Sequence, residues 1–235
     1  MDRRVRTDNE RDHDIVKCFI ITLKDIKKSF EGADKVRSKL LEYRHKVTLF
    51  DGILGSIAEK RFKEEGREKD NDALKLHQFH IDYLNNPGVM GCFYSHYYLW
   101  KYCAKNNQEI IVFEDDVILH RDYAPVNYED VLILGVNFEL SRSEEDHKFK
   151  ETVLKPLLLN PVGEPISIQY HGDSIPGSCI YAIKPSGAKK LLQRYTYTYN
   201  ATDHAIKSDV CDIKVHNHLM GEADNSKSFT MNYYK

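Results

Sequence analysis

Nowhere in its 235 residues does the chain gather the roughly 20 consecutive apolar residues that a helical membrane span requires. The opening segment MDRRVRTDNERDHD is charged throughout and lacks the apolar core of a signal peptide. The closing residues MNYYK hold no endoplasmic-reticulum retention tetrapeptide. A location in the cytoplasm, or in a host-cell cytoplasm, is therefore expected. Cysteine is sparse: Cys18, Cys92, Cys103, Cys179 and Cys211 are odd in number and form no CxxC pair. That spacing suggests neither a zinc ribbon nor a disulfide framework. Four of the five sit among apolar neighbours, where a free thiol behaves as a small hydrophobe. Neither sign of charge prevails. The 34 basic and 36 acidic residues leave a formal net charge of −2, which predicts no nucleic-acid partner. A GxxxxGK[ST] loop is missing and no GxGxxG follows the first predicted strand, so P-loop and ordinary dinucleotide folds are unsupported. Internal repeats and low-complexity segments are also missing.

What is present reads as one α/β domain over residues 15–235, behind a disordered or loosely attached arm at residues 1–14. VKCFIITL, residues 16–23, is a continuous apolar run of the kind found in strands covered on both faces. DIKKSFEGADKVRSKLLEYR then spaces Val36, Leu40 and Leu41 at helical intervals, and KVTLFDG supplies a second strand. Strand, helix and strand in close succession make a βαβ unit. Residues 56–86 are strongly charged and predict a solvated helix or a surface excursion. GVMGCFYSHYYLWKYCAKNN predicts a mostly buried helix ended by the Asn106-Asn107 pair. Strands are predicted at 109–113 and 130–135, and a polar loop at 141–165. SCIYAIKPSGAKKLLQRY predicts strand, turn and helix with Ser186 as N-cap. ATDHAIKSDV predicts a short helix with Asp203 in its first turn, and the tail from residue 216 has no clear period.

IIVFEDDVI, residues 110–118, runs four apolar residues into three adjacent carboxylates, Glu114, Asp115 and Asp116. Ligands of open α/β sheets bind beyond the carboxyl ends of the strands, and the acids fall at that edge. Hard divalent cations such as Mn²⁺ and Mg²⁺ take oxygen ligands, commonly one or two carboxylates plus substrate phosphates. The triplet is thus a candidate seat for a metal that carries a diphosphate. The bland alternative is a set of acids that cap a helix or pair with basic side chains. A nucleotide held by metal and acids, without a glycine cradle, fits a sugar-nucleotide transferase; a metal-dependent phosphohydrolase would use the same acids.

GVMGCFYSHYYLW, followed after a short turn by IIVFEDDV, resembles the paired motif of glycosyltransferase family 25. That family includes lipopolysaccharide galactosyltransferases and procollagen hydroxylysine galactosyltransferases. The matching positions are Gly91, Cys92, Ser95, His96 and Trp100, then Phe113, Glu114, Asp115 and Asp116. Phe93 and the SHY…W wording lean toward the procollagen branch. Weaker echoes follow in DVLILG, CIYAIKPSGAKKLL and TDHAI. The resemblance implies a GT-A-type fold, a Rossmann-like mixed sheet flanked by helices. It also implies a UDP-sugar donor, commonly UDP-galactose, with Mn²⁺ or Mg²⁺. The implied reaction is inverting transfer of galactose, or glucose, to the hydroxyl of a collagen-like hydroxylysine or of a lipopolysaccharide saccharide. Asp116 is the implied metal ligand, Asp115 reaches metal or ribose, and Glu114 supports them. Thr22 and Leu23 fall where relatives contact the uridine, and Asp51, ending the second strand, joins them as a donor-binding candidate. The match also raises Ser95 and His96 from core positions to candidate nucleotide contacts.

Inverting transfer needs a general base for the acceptor hydroxyl, and Asp203 is the candidate; its alternative role is a favourable first-turn acid. Relatives of GT-A type often supply a late histidine to the metal, and imidazole suits Mn²⁺. His216 and His218 are the candidates here. Alternate residues of an extended segment point opposite ways, so at most one reaches a common metal, with His218 favoured. His171, Gly172, Asp173 and Ser174 predict a polar turn near the donor site. Tyr195, Tyr197 and Tyr199 predict either sugar stacking or a half-buried strand.

Overall fold

A computed structural model describes residues 16–70, 83–139, 144–170, 172–175 and 177–224. Residues 1–15, 71–82, 140–143, His171, Pro176 and residues 225–235 lie outside them. The chain opens with β1 (Lys17–Thr22), α1 (Lys27–Glu42) and β2 (Lys46–Asp51), the expected βαβ unit, with β1 and β2 parallel. α2 (Gly55–Glu64) and a short β3 (Glu68–Lys69) follow. The aromatic segment forms α3 (Pro87–Asn106). Its ends obey local chemistry. The Asn86 side chain accepts from the Gly88 N–H at 2.7 Å, Pro87 takes the first turn, and Asn107 closes the helix in the left-handed region at φ 48°. β4 (Ile110–Phe113), β5 (Val117–Leu119) and β6 (Val131–Val136) come next.

The predicted loop at 141–165 is in fact largely helical. α4 (Glu144–Phe149), a π-helical turn (Lys150–Leu154) and α5 (Lys155–Leu159) are continuous, with Leu154 and Leu158 buried in the core. β7 (Ser167–Gln169), β8 (Ser178–Ile183) and α6 (Pro185–Arg194) continue the chain. Lys184, not Ser186, is the N-cap of α6, and the Ser186 hydroxyl donates instead to the Glu129 carbonyl at 3.0 Å. β9 (Thr198–Tyr199), α7 (Thr202–Ala205), β10 (Ile213–His216) and β11 (Gly221–Ala223) complete the described fold. The tail from residue 216 therefore holds a strand, β11, that its lack of period concealed, and β10 ends at its first residue.

One nine-stranded mixed sheet runs in the order β2-β1-β4-β8-β6-β10-β7, and β11 joins both β6 and β5. β2, β1 and β4 are parallel, β8 lies antiparallel between β4 and β6, and β10 is parallel to β6. Strands β1, β2, β4, β6 and β10 consequently all end at one edge. Alternation along each strand supplies two apolar layers. Phe19, Ile110 and Val112 face the layer covered by α3 and α6, with Phe93, Trp100, Tyr195 and Leu191. Cys18, Ile20, Ile111 and Phe113 face the layer covered by α1, with Ala33, Val36 and Leu40. Each large buried side chain contributes about 1.5–3 kcal/mol of transfer free energy. Tyr195 and Tyr199 belong to that core, and Tyr197 alone of the three is exposed, which removes the sugar-stacking run.

Candidate active site

Glu114, Asp115 and Asp116 leave β4 at the carboxyl edge of the sheet and form the floor of a cavity of about 490 Å³. Its walls come from the end of β1 (Thr22, Leu23), the β2–α2 loop (Ile53, Leu54) and the first half of α3 (Gly88, Gly91, Cys92, Ser95, His96). Backbone approaches close enough to exclude a side chain set this shape. A Cβ on Gly32 of α1 would strike the Asp115 carbonyl, and one on Gly91 of α3 would strike the Ile53 carbonyl. Ser29 ties the wall to the floor. Its hydroxyl donates to Asp115 Oδ2, accepts from the Leu23 N–H at 2.7 Å and lies 3.2 Å from the Thr22 hydroxyl.

A second, smaller cavity of about 70 Å³ shares Cys92, Glu114 and Asp116 with the first and is completed by Asn137, Gly177, Thr202 and Asp203. Asp203 Oδ2 accepts from the Gly177 N–H at 2.9 Å. Glu114 and Asp116 thus stand between two openings, with Asp203 across the smaller one.

The electrostatics are those of carboxylates withdrawn from water among their own kind. Burial, then Asp115 and Asp203, push the Glu114 carboxyl up to about 8. Burial, then Glu114 and Asp115, do the same to Asp116, also to about 8. Asp115 rises to about 6 by burial, opposed by its hydrogen bond from Ser29. Asp116 Oδ1 is buried with no hydrogen-bond partner among the described residues. A buried carboxylate oxygen without a hydrogen bond, preceded in sequence by two further carboxylates, offers the oxygen chemistry a hard divalent cation such as Mn²⁺ or Mg²⁺ takes, although among the described residues the only three ligand groups that converge are Cys92, His96 and Glu114.

The sequence candidates divide cleanly. Thr22, Leu23, Ser95, His96, Glu114, Asp115 and Asp116 line the larger cavity, and Asp203 lines the smaller. The Ser95 hydroxyl is already engaged, accepting from the Ile53 N–H at 2.9 Å and donating to the Gly91 carbonyl at 2.7 Å. Asp51 is exposed, paired with Lys24 at 3.4 Å, and is not among the residues lining the cavity. His216 and His218 lie apart from both cavities. His216 is buried, with Nε2 against the Ala124 carbonyl at 2.7 Å and Nδ1 accepting from the His218 N–H at 2.8 Å. His218 Nε2 turns to the Gly163 carbonyl at 3.2 Å, and neither ring lines either cavity. Both ring nitrogens of His216 are spent, so it has no lone pair for a metal. Ser29, Gly32 and Asn137 were not legible as site residues; Ser29 is one serine among many on a helix, and only the packing of α1 on the acids reveals it.

A mixed sheet flanked by helices, with acids at the carboxyl ends of its parallel strands, is the architecture of a GT-A-like glycosyltransferase. The sequence matches the family model of Glycosyltransferase family 25 (LPS biosynthesis protein) over residues 15–209, and the chain belongs to that family. No curated protein and no solved structure gives a significant match. Among the described residues, no helix is long and apolar enough to cross a membrane.

Proposed function

We propose that the protein is a metal-dependent, inverting glycosyltransferase that moves galactose from UDP-galactose to an acceptor hydroxyl. The observation that carries this reading is the orphaned Asp116 Oδ1 among three carboxylates on the floor of the larger cavity. Asp116 and Asp115 would hold the cation, with Glu114 in support. When bound, a divalent cation neutralises the diphosphate charge that grows as the donor departs. Thr22 and Leu23 place the uridine side of the donor at the end of β1, and the apolar wall of Ile53 and Leu54 shields it from water.

The acceptor enters from the smaller cavity. Asp203 takes the hydroxyl proton there as the acceptor oxygen forms its bond to the anomeric carbon. The bond from that carbon to the phosphate oxygen breaks on the opposite face, and UDP leaves with the electron pair. Attack from the opposite face inverts the anomeric centre. The GVMGCFYSHYYLW wording favours hydroxylysine of a collagen-like chain as acceptor. The family's own description, lipopolysaccharide biosynthesis, favours a saccharide, and glucose as the transferred sugar remains within the same chemistry.

Release of UDP from nucleotide sugars in the presence and absence of Mn²⁺ tests the reading. Mn²⁺-dependent release of UDP from a UDP-hexose is expected. Phosphate release from simple phosphate esters, indifferent to UDP-sugars, would replace the transferase with a phosphohydrolase.

A further inference from the structure

A buried hydrogen-bond chain runs from the core to His96, which faces the acid floor, and its directions are fixed by which atoms have protons to give. The Trp100 Nε1–H can only donate, and it donates to the Tyr181 hydroxyl oxygen at 3.0 Å. Tyr181 has its own proton to place, and His96 Nδ1 lies 2.8 Å from the hydroxyl. All three side chains are buried, and the His96 and Tyr181 rings stack with centroids 5.7 Å apart. A ring whose Nδ1 accepts must carry its proton on Nε2. That nitrogen has no hydrogen bond among the described residues, and it faces Glu114 Oε1 at 3.6 Å.

We propose that His96, held as the Nε2–H tautomer by Tyr181, is a positioning residue that keeps the Glu114 carboxylate at the junction of the two cavities. Glu114 lines both, so its rotamer decides how the donor floor meets the acceptor opening. The importance of that junction rests on the donor reading above; the tautomer does not.

A competing use of the same atoms is a cation site. Cys92 Sγ, His96 Nε2 and Glu114 Oε1 lie within 4.8 Å of one another. Coordination would need the Nε2 lone pair and would move the proton to Nδ1. The Tyr181 oxygen would then receive two N–H groups, from Trp100 and His96, and lose the acceptor for its own proton. Burial, then Glu114, also raise the Cys92 thiol, against the thiolate that a soft metal prefers. The relay therefore predicts that no cation binds through His96.

Long-range proton–nitrogen correlation spectra of the ligand-free protein read the tautomer directly. A protonated Nε2 and a bare Nδ1 are expected, unmoved by added Zn²⁺. In turnover, His96→Leu is expected to lose about 10–100-fold in kcat with donor KM little changed, the range for losing a group that orients a site residue. His96→Gln sets an amide N–H near the place of Nε2 and should recover most of that loss. A protonated Nδ1, a Zn²⁺-dependent displacement of the His96 resonances, or a Gln variant as slow as Leu would each overturn the proposal. The spectrum needs no substrate, so an Nε2–H tautomer in a protein that releases no UDP would support the relay and refute the donor reading separately.

Discussion

The acids after β4 and the histidines at the end of β10 occupy matching places, each just past a parallel strand at the carboxyl edge of one sheet. Either group could ligate a metal by residue type. They differ in what their atoms have left to give. His216 spends both ring nitrogens on backbone groups, and its neighbour turns to the Gly163 carbonyl. Asp116 keeps a buried oxygen with no hydrogen bond, and burial, then repulsion from the neighbouring carboxylates, pushes Glu114 and Asp116 up to about 8. A saturated polar cluster stabilises the fold, whereas an unsaturated one at a cavity floor costs stability until a ligand arrives. Position at the sheet edge nominates residues, and open valence chooses among them.

Breaking the unsaturated side should have the largest effect. Asp116→Asn, which keeps the shape and removes the charge, is expected to lower Mn²⁺-dependent UDP release by about 10²–10³-fold, as measured by coupled nucleotide assay. Circular dichroism should show an unchanged fold. Asp203→Asn removes the proposed proton acceptor and should lower turnover by about 100-fold, the lower end of the general-base range, while leaving nucleotide affinity in place. Equal loss of donor binding in that variant would move Asp203 from the acceptor side to the donor side.

Packing behind the cavity comes next. Gly91→Ala drives a methyl into the Ile53 carbonyl and should cost about 1–3 kcal/mol in denaturant unfolding. The pH dependence of the metal-free protein sharpens the contrast further. Glu114 and Asp116 have folded values raised to about 8 from an ordinary 4.5 and 3.8, so the fold binds protons more tightly than the unfolded chain does. Their contribution is fully present below the ordinary carboxylate range and is lost as pH rises through about 8. Melting temperature should fall over that window, and Mn²⁺, which takes the place of the protons, should restore more of it at high pH than at low. The smallest effect belongs to the saturated side. His218→Ala should change stability by less than about 0.5 kcal/mol and leave nucleotide binding untouched in titration calorimetry.

Much of this arrangement was readable from residues alone, for a physical reason. The apolar runs of β1 and β4 are buried on both faces, so their composition is nearly their structure. The aromatic helix α3 carries its own caps in Asn86, Pro87 and Asn107. The acids announce themselves because three carboxylates after a buried strand have few uses. Residues whose role depends on what packs against them were hidden. Ser29 matters because Gly32 lets α1 settle on Asp115, and Tyr181 matters because Trp100 and His96 meet at its hydroxyl. The setting of His216 was hidden for the same reason, since only the Ala124 carbonyl, distant in sequence, shows that its ring is already occupied. The helical stretch from Glu144 to Leu159 escaped because its charged exposed face outweighs a narrow apolar stripe ending in Leu154 and Leu158.

The most direct test is a thermal-shift comparison of the wild type and Asp116→Asn with UDP-galactose, with Mn²⁺, and with both together. A ligand that binds only the native state raises the melting point. The wild type should gain most with donor and Mn²⁺ combined, and Asp116→Asn should lose that combined gain. An equal rise with UDP-galactose in the absence of any metal, or an undiminished combined rise in Asp116→Asn, would contradict a cation-held diphosphate at these acids.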